Sequence, residues 1–335
     1  MISETTPEDA DMKELTIGKN DAGQRLDRFL SKNLPLLPSA LAQKYIRLKR
    51  IKVNGRKSSR DARLSPGDTL QLYINDDFFG KSDDTENLFL ARFEPKVRVV
   101  YEDENLLLVD KCPGQSVHAD ETEKVNTLIN HIQAYLYRKG EWNPAEEQSF
   151  APALCNRIDR NTGGLVVAAK NAETLRIVNE KIRAHEIEKS YLCITAGRPN
   201  PPEGKVEGFL RKDEQKKQVT FYHHPVPGGR SAATLYRTIE TRGGLSLVEC
   251  RLLTGRTHQI RVSMAEIGCP LLGDGKYGDG ALNRKFRETR QALYAYKLRF
   301  AFPTDAGILN YLRGRTFTVP RVPFRDSYFP PRNTP

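Results

Sequence analysis

The chain has no apolar run of the roughly 18–20 residues that a membrane-spanning helix needs, so none is expected among its 335 residues. Its start, Met1-Ile2-Ser3-Glu4-Thr5-Thr6-Pro7-Glu8-Asp9, has neither the basic opening nor the apolar stretch of a secretory signal. A cytoplasmic location is expected. Cysteine is scarce: Cys112, Cys155, Cys193, Cys250 and Cys269 are odd in number and far apart, with no Cys-x-x-Cys pair. That pattern argues against a disulfide framework and against a zinc ribbon. The pair His223-His224 adjoins Pro225 and has no acidic or thiol neighbour at ligand spacing; it reads as surface, and no metal is expected. Gly80-Lys81-Ser82 has Asn75 where a phosphate-binding loop requires glycine. No glycine-rich strand-to-helix loop followed by an acid is evident either. Internal repeats and low-complexity tracts are absent.

What the chain does carry is positive charge, a net +11 with a pI near 9.4, and such an excess favours polyanions. Residues 15–75 hold thirteen Lys/Arg against four Asp, and residues 44–63 hold nine basic residues against one acidic. Leu26, Phe29 and Leu30, then Ala42, Tyr45, Ile46 and Leu48, recur at helical spacing. Pro35 to Pro38 separates the two helices, and Ser39 reads as the cap of the second. A short strand with the Asn54-Gly55 turn follows, then the Ser65-Pro66-Gly67-Asp68 turn and the alternating strand Thr69–Ile74. A basic helix face is most often only solvated, or else lies on a membrane surface. Here the opposite faces are needed to close a small core. The stretch resembles the alpha-L RNA-binding fold of ribosomal and RNA-modifying proteins, through Arg25-Leu26-Asp27, Lys44-Tyr45-Ile46-Arg47, Ile51-Lys52-Val53-Asn54-Gly55 and Pro66-Gly67-Asp68. That resemblance implies a small N-terminal basic α/β domain over 15–75, with Lys44, Arg47, Lys49, Arg50 and Lys52 as RNA contacts. Residues 76–94, six acidic against two basic, read as an acidic linker.

From 95 to 335 strand-like runs do not alternate regularly with helices, which predicts an α+β domain on a mixed, largely antiparallel sheet. Expected strands include Ser190–Thr195, Val219–Tyr222, Ala232–Glu240, Leu245–Leu252 and Tyr294–Phe300. Amphipathic helices are expected over Thr127–Arg138 and Ala172–Arg183. The last segment, from Gly307, carries Arg313, Arg315, Arg321 and Arg325 among aromatics and fits either nucleic-acid contact or packing on the sheet.

Two strings carry the chemistry. Asn156-Arg157-Ile158-Asp159-Arg160-Asn161-Thr162-Gly163-Gly164 sets a carboxylate between two guanidinium groups, on a loop that runs into the apolar Leu165–Ala169. Flanking Arg157 and Arg160 are expected to keep Asp159 ionised, since nearby positive charge favours the charged form. Read alone, an Asp between two Arg is usually a surface ion pair of small value. Thr254-Gly255-Arg256-Thr257-His258-Gln259-Ile260-Arg261 supplies a second cationic cluster at a helix start, where free amides favour anions.

Together these strings resemble the active-site motifs of the pseudouridine synthases of the RluA type, which isomerise uridine within RNA. Glu188-Lys189-Ser190-Tyr191, Tyr101 to Lys111 with Gly114, and Gly273-Asp274 with Tyr277-Gly278 match further motifs of that family. The resemblance spans Leu15 to about Phe302. It implies Asp159 as the catalytic carboxylate, Tyr191 as the ring that stacks on the target uracil, and Arg261 as the partner of Asp159. Arg157, Arg160, Thr162, Arg256, Thr257 and His258 would contact the substrate. A carboxylate suits a reaction that breaks the ribose–uracil bond and rejoins the base through carbon, because it can attack the sugar or remove its proton. The departures are Asn156 where the family often has His, Gly163 for Ser, Cys112 between Lys111 and Pro113, and Ser263 for His; none touches Asp159, Tyr191 or Arg261. The implied partner is RNA, large-subunit ribosomal RNA first and transfer RNA second, bound by a monomer. The rival expectation is a non-catalytic RNA-binding or ribosome-assembly factor, against which the intact Asp159, Tyr191 and Arg261 stand. A base methyltransferase would need a cofactor pocket, against which the missing glycine-rich loop stands. The isomerisation that the resemblance implies involves no redox or group transfer, so no cofactor is expected.

Overall fold

The computed structural model describes residues 12–79 and 89–330, and its contacts divide the chain into two compact units. The first comprises the described residues up to Pro95 together with Ile132–Ala153 and Lys170–Glu173. It contains β1 (Lys13–Thr16), α1 (Leu26–Asn33), α2 (Ser39–Arg47), β2 (Ile51–Val53), β3 (Arg56–Lys57) and β4 (Thr69–Leu72), with the strands in the order β1-β4-β2-β3. The helices bury Leu26, Phe29, Leu30, Ala42 and Ile46 against Ile51, Leu64, Leu70 and Leu72. Ser39 is not the cap expected of it. Pro38 holds that position at φ −58°, Ser39 begins the helix, and no side chain caps α2. Proline's fixed φ suits the start of a helix, where its missing N–H costs nothing.

Asn54 and Gly55 both have positive φ, +50° and +73°, the backbone that a two-residue hairpin turn requires. The Asn54 side chain then bonds Asp68 Oδ1 and Thr69 N, each at 2.8 Å, tying this turn to the Pro66-Gly67-Asp68 turn. Within the acidic stretch, Asp76–Phe78 forms a 3-10 turn capped by Asn75, residues 89–92 are helical and Leu90 is buried; residues 80–88, including the Gly80-Lys81-Ser82 string, lie outside the described residues. The later segment 143–149 belongs to the same unit through Asn20–Glu147, Gln24–Ser149 and Gln148–Thr16 hydrogen bonds of 2.6 to 2.8 Å.

The second unit holds an eleven-stranded sheet. Its strands are β5 (Val99–Glu102), β6 (Leu106–Lys111), β7 (Ala153–Leu154), β8 (Gly163–Ala169), β9 (Ile187–Ala196), β10 (Glu203–Asp213), β11 (Gln218–Tyr222), β12 (Arg230–Arg242), β13 (Leu245–Leu252), β14 (Leu293–Phe300) and β15 (Thr316–Thr318). Their order is β11-β10-β12-β13-β9-β14-β8-β6-β5, with β15 on β14 and β7 on β8. Along that order only β14 and β8 run parallel, so the sheet is mixed and largely antiparallel and the fold is α+β. Of the remaining helices, α3 (Leu128–Arg138) falls in the first unit from Ile132 onward and α4 (Ala172–Arg183) falls in the second from Thr174 onward, while α5 (Gln259–Glu266), α6 (Gly280–Phe286) and α7 (Pro323–Tyr328) are wholly in the second. The five strands expected between Ser190 and Phe300 fall within β9, β11, β12, β13 and β14, whereas the strand expected over Thr69–Ile74 ends at Leu72. Strand β10 was not expected, because Gly208 stands between the buried Val206 and Leu210 and erases the alternation that marks a strand. The C-terminal segment packs on the sheet: Leu309, Leu312, Val319, Val322 and Phe329 join the main core, Arg315 stacks on Tyr101 and Phe317, and Arg321 pairs with Asp326.

The parallel contact places Gly164 against β14. Its φ is +112°, and a Cβ there would lie 2.2 Å from the Ala295 carbonyl oxygen, a backbone atom that cannot swing aside. Gly164→Ala is therefore expected to cost more than about 3 kcal/mol, read as a lower urea midpoint; an unchanged midpoint would mean that β8 and β14 do not approach so closely.

Candidate active site

Asp159 sits on the loop between β7 and β8, and three features hold that loop. Thr162 N bonds the Asp159 carbonyl at 3.0 Å, closing a turn. Gly163 lets the backbone pass the Tyr294 ring, which a Cβ would approach to 2.3 Å; this is a physical reason for glycine where the resembling family has serine. Most of the hold comes from Lys111. Buried at 1% exposure, it donates to the carbonyls of Cys112, Gln115 and Arg160 at 3.0, 2.9 and 2.9 Å. Burial pulls its pKa down to about 7, with Cys112, Asp159 and Asp110 opposing, while three acceptors and no donor match the three hydrogens of an ammonium.

The partner of Asp159 is Arg261, which reaches it from α5 with Nη1 3.0 Å from Oδ2. The same guanidinium bonds Asp274 through two nitrogens, at 2.6 and 2.9 Å. Asp274 is itself buried and also accepts from the amides of Lys276 and Tyr277. Burial works against its charge, but Arg261 and these amides outweigh it and hold the Asp274 carboxyl below its ordinary value. One buried arginine thus bridges two carboxylates. Tyr277 lies under the guanidinium at 5.1 Å, and its hydroxyl accepts from Val219 N while lying 2.8 Å from His258 Nδ1. The His258 Nε2 faces Asp159 at 3.9 Å. Burial first, then Arg261 and Lys276, push the His258 pKa down against the pull of Asp159, which keeps the ring neutral.

Asp159, His258 and Arg261 open on a cavity of about 1070 Å³ that also takes in Tyr191, His118 and Lys189. Tyr191 is 5% exposed, and burial, then Asp159, raise the pKa of its hydroxyl. The remaining expected substrate contacts separate. Arg157 is exposed at the cavity. Arg160 turns away from Asp159 and bonds the Gly114 carbonyl and Thr122, so of the two flanking arginines expected to keep Asp159 charged, this one is engaged elsewhere. Thr162 is buried and accepts from Gln291 at 3.4 Å. Arg256 donates to the Ser231 carbonyl and Thr257 is exposed. Gln259, which the sequence reading passed over, ties their loop together by accepting from Thr254 Oγ1 and Arg256 N and donating to Ala233 O and Thr234. In the first unit, Lys44 and Arg47 line a groove of about 570 Å³ with Lys57 and Arg60. Arg50 and Lys52 instead lie over the rings of Tyr45 and Tyr73, and Lys49 occupies a positive-φ position after α2. No cluster of three or more His, Cys, Asp or Glu able to hold a metal occurs among the described residues, and no helix among them is long and apolar enough to cross a membrane.

A family model described as RNA pseudouridylate synthase matches residues 105–266, the span that carries Asp159, Tyr191 and Arg261. An uncharacterized RNA pseudouridine synthase of Mycoplasma genitalium is 30% identical over 85% of this chain and 88% of its own. The chain belongs to the RNA pseudouridine synthase family. Another relative, the ribosomal large subunit pseudouridine synthase C of Rickettsia felis, is 30% identical over 76% of this chain and 82% of its own. Among solved structures, human RNA pseudouridylate synthase domain containing 1 shares the fold with a TM-score of 0.54, at 22% identity over 70% of this chain and 89% of that one.

In this synthase, removing the second carboxylate would leave Arg261 buried with only Asp159 as counter-ion. Asp274→Ala is expected to destabilise the protein by about 3–5 kcal/mol in urea unfolding. A loss below about 1 kcal/mol would show that Asp274 does not carry the arginine's charge.

Proposed function

We propose that this synthase converts a specific uridine of large-subunit ribosomal RNA to pseudouridine, in the cytoplasm and as a monomer, with Asp159 as its catalytic carboxylate. One observation carries the reading: the Asp159 carboxylate, held by a buried Arg261, faces the same cavity as Tyr191. The uridine leaves its stack and enters the cavity, as enzymes acting on a base require, and its uracil stacks on Tyr191. Asp159 then attacks the sugar at C1′ or takes its C2′ proton, the C1′–N1 bond breaks, the base turns, and C1′ bonds to C5. The Asp159–C1′ bond breaks as C1′ bonds to C5, or on the other route the C2′ proton is returned. C5 then loses its hydrogen as a proton and N1 takes one up, so the change is an isomerisation with no electrons gained or lost overall. Arg261 orients the carboxylate throughout. The relative named as a large-subunit synthase favours ribosomal RNA, and transfer RNA is the second candidate.

The first unit serves as the phosphate grip. Lys44, Arg47, Lys57 and Arg60 border one groove, and such contacts position RNA without reading its sequence.

The deciding measurement is tritium release from unmodified ribosomal RNA labelled at uracil C5. Release by the wild type that vanishes in Asp159→Ala, with RNA affinity within about threefold, is the expected result. Tight binding without release from either ribosomal or transfer RNA would favour an assembly factor that has lost catalysis. The triple substitution Lys44→Ala, Arg47→Ala, Lys57→Ala is expected to lower the slope of log affinity against log salt by about two to three. An unchanged slope would remove the groove from the RNA path.

A further inference from the structure

Lys189 stands apart from the other cations of the cavity. Arg160, Arg256 and Arg261 all spend hydrogen bonds on protein groups, and His258 is bonded to Tyr277. Arg157 and Arg183 are exposed to solvent. Lys189 is neither engaged nor freely solvated. It lines the cavity, its Nζ lies beside Gly255, 3.9 Å from where a Cβ would be, and burial alone pulls its pKa down, with no charged neighbour contributing. Among the described residues it has no hydrogen-bond or ion-pair partner. The acid next to it in the chain, Glu188, also borders the cavity, but it meets Arg251 and Arg299 at 3.5 and 3.8 Å.

An ammonium partly withdrawn from water without a counter-ion loses hydration, and that loss is offset when an anion arrives. Strand geometry says where. Residues two apart on a strand share a face, about 7 Å from each other, so Lys189 and Tyr191 project into the same cavity from β9. A nucleotide whose base lies on Tyr191 extends beyond that ring through its sugar to its phosphates. Neutral uracil and ribose offer no negative charge, whereas the phosphodiester does. We propose that Lys189 contacts the substrate directly, its ammonium binding a backbone phosphate of the extruded uridine. This rests on the reading of the cavity as the uridine site, and it gives that site a test of extrusion. A phosphate reaches Lys189 only when its nucleotide has left the stack and entered, whereas the grip of the first unit is blind to that event.

The test compares two small probes, uridine 3′,5′-bisphosphate and uridine, titrated into the full chain and followed by calorimetry or NMR. The wild type is expected to favour the bisphosphate by at least tenfold. Lys189→Met should abolish the preference while leaving uridine affinity within about threefold, and Lys189→Arg, which keeps the charge, should retain it. An undiminished preference in Lys189→Met overturns the proposal. So does an equal loss of both ligands, which would make Lys189 a packing residue. Tritium release by the wild type is scored separately. Release together with an unaltered preference in Lys189→Met sinks only the lysine's role. A preference that follows Lys189 without any release sinks the catalytic reading and leaves the phosphate contact standing.

Discussion

The candidate site depends on one guanidinium. Arg261 is 6% exposed, and a charge so buried is tolerated only with opposite charge and hydrogen bonds around it. Asp274 supplies a two-pronged pair from one side and Asp159 a single contact from the other. The pair with Asp274 fixes the plane of the guanidinium, and that plane decides where the remaining nitrogen meets Asp159. Segments more than a hundred residues apart converge on this ion. The Asp274–Tyr277 loop contributes both the second carboxylate and the ring beneath the arginine, and the hydroxyl of that ring orients His258.

A second constraint shapes the loop that presents Asp159. Lys111 gathers three backbone carbonyls, one of them from Arg160, so a buried ammonium does what a hydrogen-bonded ladder does in regular structure. Glycine allows the rest: at 163 and 164 the chain passes an aromatic ring and a neighbouring backbone more closely than any Cβ permits. The loop is irregular, yet it is held at Asp159, Arg160 and Thr162 by hydrogen bonds. That is what a carboxylate needs if its position is to be reproducible.

Much of the fold could be read from the residues. The periodicity of Leu26, Phe29 and Leu30 matches α1, the Asn54-Gly55 hairpin has the backbone its residues demand, and Leu245–Leu252 is β13. Strand β10 was hidden because a glycine occupies one of its inward positions, and the cap of α2 was misplaced because proline and serine both suit a helix start. At the candidate site, Asp159, Tyr191 and Arg261 stand out in the sequence through the motifs that resemble the family, and the structure brings all three to one cavity. Asp274 was seen only as part of a matching loop, and its bond to Arg261 had no local signature. Lys189 was passed over in the shadow of Tyr191, although strand alternation places the two on one face.

The sequence by itself determined which residue types were available for chemistry, where the basic charge was concentrated, and that the larger domain would be built on a mixed sheet. These properties are local or compositional, and short-range periodicity and charge report them directly. Tertiary structure alone decided that Arg160 would be engaged by Gly114 and Thr122, that Arg261 would be the arginine on Asp159, that Lys111 would be pinned by carbonyls, and that Lys189 would have no partner among the described residues. Those outcomes turn on distances between segments far apart in the chain. A charge of known identity acquires its function only from what packs around it.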